Sequence, residues 1–295
     1  MNIVINGGTG WLGIATLRAL ERIKHIENIE ITSSNGRTFM AHDLGEFKTK
    51  ELTNDTKIDF IPDILVNLAF KTRDYISILG EEEYTKINLE ILKSSANLAK
   101  HLKPKSIVIV SSGVVSRNLD SQGKLDNTQY TKLKNLEEET FTQIAKDMGA
   151  NLVILRMWGG SGRDLTSPFK YAIGDLIKQA LTSDKIIVSS EQLTYRRYSD
   201  ASQQLEIAIR CAISGKNLVF DSGGQIIEMG ELADLIKSTL QPNLEILRKL
   251  DTNLPADKYY SESNQFENFA KEYGIELFTL KQQIIETKVS VNRAL

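Results

Sequence analysis

Short runs of aliphatic and β-branched residues alternate, through the first half of the chain, with longer stretches whose apolar residues recur at helical spacing. The strand-like runs fall at residues 2–6, 29–33, 64–68, 106–111 and 151–156, and the helix-like stretches at 12–23, 82–101 and 129–148. The runs are nearly continuous in apolar residues, the pattern of strands covered by helices on both faces. This rhythm predicts an α/β fold with a doubly wound parallel sheet. Ser33-Ser34-Asn35-Gly36-Arg37 reads as a turn, so the second and third strands are expected to be joined by a short link in place of a helix. After Arg156 a glycine-rich passage at 158–162 breaks the rhythm, a helix-like stretch follows at 168–181, and the pattern weakens from 241 to 295. The expected organisation is a doubly wound domain over 1–157 and a smaller, mixed second domain over 158–295, some segments of which return to the sheet.

Composition narrows the partners. Thirty-six basic residues against 38 acidic ones leave a formal charge of -2, which steers the molecule toward neither nucleic acid nor an anionic membrane, so a small molecule is the expected partner. One cysteine, Cys211, excludes an intramolecular disulfide, and the chain opens directly into its first strand, so the cytoplasm is the expected location. The longest apolar runs fall far short of the roughly 20 residues of a membrane helix. His25, His42 and His101 lack metal-ligand spacing, and no metal is expected. The acidic triplets at 81–83 and 137–139 read as solvated helix faces.

Gly7-Gly8-Thr9-Gly10-Trp11-Leu12-Gly13 follows the first strand and opens a helix. Glycines there let backbone N–H groups approach a pyrophosphate at the positive end of the helix, the dinucleotide-binding turn of a Rossmann fold. An NAD-binding fold of this kind carries an acidic residue about 20 positions further on, where it receives the ribose hydroxyls. Here that place holds Ser33 and Ser34, followed by Asn35 and Arg37, donors and a positive charge suited to the 2′-phosphate of NADP. NADP is therefore favoured over NAD.

Tyr130 and Lys134 stand four residues apart on an expected helix and project from one face. A phenol with a pKa near 10 is a poor acid or base at neutral pH, and a neighbouring ammonium stabilises its phenolate. Ser111 and Ser112 end the apolar strand one element earlier, at the carboxyl end where open α/β sheets hold their ligands. Ser112 is the better candidate to hold a substrate oxygen beside Tyr130.

Together these features resemble the extended short-chain dehydrogenases, the NAD-dependent epimerase/dehydratase family of nucleotide-sugar enzymes. Gly7, Gly10 and Gly13 match the family's glycine spacing, with Asn6 in place of the usual threonine. Ser111 to Ser116 resembles its Ser-Ser-x-x-Val-Tyr line, with Ser116 replacing the tyrosine. The resemblance implies that Asp43, in Asp43-Leu44, meets the adenine, that Leu68 and Ala69 of Asn67-Leu68-Ala69-Phe70 border the cofactor ribose, and that Asn88 binds backbone and a water. It also implies that the adjacent Arg196 and Arg197, in the 195–200 segment, hold the substrate diphosphate, and that the chain pairs through the helices at 82–101 and 129–148 as a homodimer. The family's 4,6-dehydratases carry an acidic pair where Gly113 and Val114 stand here, which disfavours water elimination. The expected reaction is NADPH-dependent 4-ketoreduction of a nucleotide-linked keto-sugar. A 4-epimerase with tightly bound NAD is the alternative. A non-catalytic NADP-binding regulator is more distant, since such proteins usually lack the Tyr130 and Lys134 pair.

Overall fold

The computed structural model of the protein describes residues 1–117 and 128–295. In chain order its first elements are β1 (Asn2–Asn6), α1 (Trp11–Leu20), β2 (Asn28–Ser33), β3 (Thr38–Met40), β4 (Glu46–Lys48), β5 (Lys50–Glu51) and β6 (Ile64–Asn67). There follow α2 (Ile76–Leu79), α3 (Glu81–Leu102), β7 (Ser106–Ser112), α4 (Gly113–Arg117), α5 (Gln129–Met148), β8 (Asn151–Met157), β9 (Gly160–Ser161) and α6 (Ala172–Thr182). The remainder comprises β10 (Lys185–Val188), β11 (Thr194–Asp200), α7 (Ala201–Ile213), β12 (Leu218–Asp221), β13 (Gln225–Glu228) and α8 (Met229–Leu240). The last elements are β14 (Glu245–Arg248), β15 (Asp257–Tyr259), α9 (Gln265–Glu272) and α10 (Leu280–Ala294).

The apolar runs assemble into a seven-stranded sheet of order β12-β8-β7-β6-β1-β2-β5. β1 pairs in parallel with β2 and β6, β6 with β7, β7 with β8, and β2 with β5. The winding reverses between β1 and β6, so their carboxyl ends, Asn6 and Asn67, stand at the switch point where a doubly wound sheet opens a crevice. Val4, Leu65, Ile107 and Ile109 pack with Ala99 of α3 and Phe141 and Ile144 of α5, each buried Val, Leu, Ile or Phe contributing about 1.5–3 kcal/mol. Glu81, Glu82 and Glu83 lie in the first turn of α3, exposed at the positive end of its dipole.

The link after β2 departs from the expected short connection to a third strand. β3 and β4 form an antiparallel hairpin of their own, Thr38 opposite Lys48 and Met40 opposite Glu46, and the next place in the sheet goes to the two residues of β5. The reason is local: Thr38 and Met40 are exposed and cannot anchor a strand in the covered sheet.

The chain divides into two compact units, Met1–Met157 with Leu205–Phe220, and Trp158–Gln204 with Asp221–Leu295. In the second unit β11 pairs antiparallel with β13 and parallel with β15 and β9, and Ile173, Ile177, Leu232, Ile236, Leu280 and Ile284 form a separate core. The weakly patterned end contains α10, which opens on a capping box between Thr279 and Gln282. Among the described residues no helix is long and apolar enough to cross a membrane, and no cluster of potential metal ligands occurs.

Candidate active site

The loop after β1 is held by backbone contact on two sides. Gly7 has φ +81°, its N–H donates to Thr32 O at 2.8 Å, and a Cβ placed on it would lie 2.6 Å from Ala69 N. A side chain there would force the ends of β1 and β6 apart. At Gly13 a Cβ would lie 2.1 Å from Gly8 O, so only glycine lets α1 pack this closely on the loop. Gly10 caps α1, and Trp11 and Leu12 open its first turn, which leaves the positive end of the helix at the crevice. Leu68 N–H donates to Asn6 O at 2.8 Å, and Leu68 and Ala69 edge the same loop.

At the end of β2 the turn engages its own hydroxyl. Ser33 is buried, its hydroxyl donating to Asn35 O at 2.6 Å and lying 2.9 Å from Thr49 Oγ1, so it stabilises the turn. A short hydroxyl in a tight turn finds the nearest carbonyl first. Arg37 is anchored only by its backbone: its N–H meets Thr49 Oγ1 at 3.0 Å, while its exposed guanidinium has no ion-pair partner among the described residues. Glu51, exposed and paired in register with Ser33, places a carboxylate on the neighbouring strand that the spacing did not reveal. Asp43 and Leu44 sit in the turn between β3 and β4, and the Asp43 carboxylate receives both terminal nitrogens of Arg18, at 2.7 and 3.3 Å.

Tyr130 and Lys134 lie on α5 and meet through Phe70. The Phe70 ring packs edge-on against Tyr130 with centroids 5.8 Å apart, and Lys134 Nζ lies 3.8 Å from the Phe70 centroid. Ser112, buried at the end of β7, receives the Val114 N–H at 3.5 Å. Asn88 accepts from Lys71 N at 2.9 Å and donates to Lys71 O at 3.3 Å and Tyr84 O at 3.1 Å. It therefore braces the loop that carries Phe70. Beside it the Tyr84 phenol is fully buried, and burial, reinforced by Tyr130, raises its pKa.

The triplet on α5 is not a solvated face. Glu137 and Glu138 are buried and only Glu139 is exposed. Glu138 pairs with Arg156 at 2.7 Å, and Arg156 also donates to Ser116 at 3.1 Å. Glu137 takes Lys134 Nζ at 2.8 Å on one oxygen and Asn67 Nδ2 at 3.0 Å on the other. The signal was present in the sequence: Glu137 falls in the helical stripe Leu133, Lys134, Phe141, Ile144, where a charge must be buried with a partner.

A profile of the NAD dependent epimerase/dehydratase family matches residues 3–212. The chain belongs to that family. Membership makes it an enzyme of the short-chain dehydrogenase type, and the glycine loop, Tyr130 and Lys134 all lie in the first unit. No curated protein matches by sequence. Among solved structures, the UDP-N-acetylglucosamine 4-epimerase of Methanobrevibacter ruminantium is similar at TM-score 0.77 and 16% identity, covering 100% of this chain and 99% of that one. The UDP-glucose 4-epimerase of Thermotoga maritima follows at 0.73 and 17%, covering 99% and 98%. The dTDP-glucose 4,6-dehydratase of Bacillus anthracis, solved with NAD, gives 0.70 and 16%, covering 99% and 97%. At these identities the likeness concerns the fold.

In the second unit of this family member the two arginines of β11 differ. Arg197 is buried, its guanidinium donating to Gly224 O at 2.9 Å, Ser261 O at 2.6 Å, Ser263 O at 2.7 Å and Glu267 at 2.8 Å. Its fork is occupied by protein acceptors, so Arg197 holds the loops around β11 together. Arg196 remains partly exposed, paired with Asp257 at 2.7 Å near the Tyr259 ring, which in turn packs on Trp158 with centroids 5.0 Å apart.

Proposed function

We propose that this protein is an NADPH-dependent oxidoreductase of a nucleotide-activated keto-sugar, a 4-ketoreductase in which Tyr130 donates the proton. The observation that carries the reading is the exposed Arg37 guanidinium beyond β2, without an ion-pair partner among the described residues, where no carboxylate stands at Thr32, Ser33 or Ser34. The cofactor would lie along the glycine loop, with the pyrophosphate at the first turn of α1, Asp43 and Leu44 by the adenine, and Leu68 and Ala69 by the ribose. NADPH supplies the hydride. Lys134 holds positive charge near the phenol, Ser112 holds the substrate oxygen, Asn88 fixes the loop of Phe70, and Arg196 is the arginine left to meet a diphosphate. Gly113 and Val114, opening α4, offer no acid or base for water elimination.

A second reading, a 4-epimerase with retained NAD, is favoured by Glu51, whose exposed carboxylate beside Ser33 would oppose a 2′-phosphate. The two are separated by supplying purified protein with a nucleotide-linked 4-keto-hexose and either NADPH or NADH, and following nicotinamide absorbance. Faster oxidation of NADPH supports the ketoreductase. Tightly held NAD in the purified protein, with interconversion of 4-epimers and no net reduction, overturns it. The reading includes the cytoplasm, a reducing setting that suits the buried thiol of Cys211, and a homodimer formed through α3 and α5.

A further inference from the structure

The charge of Lys134 is embedded in protein. Its side chain is 7% exposed, Nζ donates to Val110 O at 3.0 Å and to Glu137 at 2.8 Å, and the Phe70 ring covers it at 3.8 Å. Behind Glu137 runs a chain of buried polar groups that ends at the glycine loop. Asn67, which donates to Glu137, accepts from Asn6 Nδ2 at 2.7 Å; Asn6 also donates to Ser95 at 2.8 Å and accepts from Thr32 at 2.7 Å. Asn6 directly precedes Gly7. Glu137 therefore joins the lysine to the strand ends that shape the dinucleotide crevice, with both its oxygens engaged.

An ammonium taken out of water sheds its proton unless a counter-charge holds it, and a neutral amine would neither stabilise a phenolate nor attract an electron-rich ligand. Of the charged groups facing this point, Glu138 is already neutralised by Arg156 of β8. Tyr84 of α3 is an uncharged phenol held in protonated form by burial. Asn67 of β6 and Val110 of β7 bring no charge. Among the described residues only Glu137 brings a carboxylate group into contact with Nζ; burial raises its carboxyl overall, with Lys134 and Asn67 opposing the rise and Glu138 adding to it.

We propose that Glu137 is a positioning residue of the Tyr130 and Lys134 pair, the buried counter-ion that keeps Lys134 charged and fixed against Val110. The proposal rests on the reading of Tyr130 and Lys134 as the proton-transfer pair only for its consequence, because the charge of Lys134 can be read without substrate or cofactor. The full chain labelled at the lysine Cε carbon is titrated by NMR, and the Lys134 resonance is identified by its loss in Lys134→Met. In Glu137→Gln, Lys134 is expected to lose its proton at a pH lower than in the wild type by at least about one unit. Glu137→Asp, which keeps the charge but draws it back by one methylene, is expected to give a smaller shift and carries the test if the Gln variant does not fold. A Lys134 midpoint unchanged from wild type in a folded variant overturns the proposal. Failure of the wild type to reduce a keto-sugar would instead count against the proposed reaction and leave these midpoints as they are.

Discussion

Lys134 Nζ lies 3.8 Å from the centre of the Phe70 ring, whose edge meets Tyr130. In a desolvated setting such a contact contributes about 2 kcal/mol, and the ring also shields the ammonium from water. Phe70→Leu keeps apolar bulk and removes the π face. Its thermal unfolding, followed by circular dichroism, is expected to be destabilised by about 1–2 kcal/mol. A melting temperature equal to wild type would show that the ring acts by volume alone.

Tyr130→Phe removes the phenolic proton and leaves the ring against Phe70. Turnover of a nucleotide-linked keto-sugar is expected to fall by at least about 10²-fold, the scale of general acid catalysis, with cofactor affinity nearly unchanged. Steady-state rates together with calorimetric titration of NADPH check both halves.

Arg37 decides the cofactor in the proposed reaction. A charge-assisted contact with a 2′-phosphate contributes about 1.5–3 kcal/mol, roughly ten- to a hundredfold in binding. NADPH is expected to bind more tightly than NADH by this factor, Arg37→Ala to erase most of the preference, and Glu51→Gln to widen it. Ser34→Asp, which adds an exposed carboxylate without entering the buried turn of Ser33, is expected to reverse it. Equal affinities for the two cofactors in the wild type would remove Arg37 from the site.

Leu89 of α3 and Leu136 of α5 are 43% and 38% exposed on the helix pair expected to form the dimer. Light scattering at micromolar concentration is expected to give twice the 33.1 kDa of the chain, and Leu89→Arg combined with Leu136→Arg to return it toward the monomer. A wild-type monomer would refute the pairing.

Glu228, at the start of α8, accepts from Thr194 N at 3.0 Å and Gly230 N at 2.6 Å and pairs with Arg248 at 2.8 Å. Burial opposes its charge, but Arg248 and the two amides outweigh it and hold the carboxyl below its ordinary value. A depressed folded value means that the stabilisation is complete above the unfolded value of about 4.3 and is lost as pH falls through the folded one. Melting temperature measured against pH is expected to fall on the acid side. Glu228→Gln should melt several degrees lower at neutral pH, with a shallower acid decline, because the half-buried Arg248 is left without its anion.

Local chemistry determined the parts of this protein that depend on neighbours in sequence. The apolar runs set the strands, the glycines at 7, 10 and 13 set the tight turn into α1, and the four-residue spacing of Tyr130 and Lys134 set them on one face of α5. Thr279 with Gln282, and the apolar stripe around Glu137, are local signals too, but the expectations of a weakly patterned end and a solvated acidic face miss both. Partner choice was decided only by the tertiary structure. Ser33 turned inward onto Asn35 and Thr49, and residues 38–40 left the sheet for a hairpin. Adjacent arginines on β11 parted, Arg197 taken up by Gly224, Ser261, Ser263 and Glu267 and Arg196 left at an edge. Asn6, Asn67 and Glu137 come from three elements far apart in the chain, and a buried polar group takes whichever partner the packed fold brings within about 3 Å. No one-dimensional spacing encodes that distance.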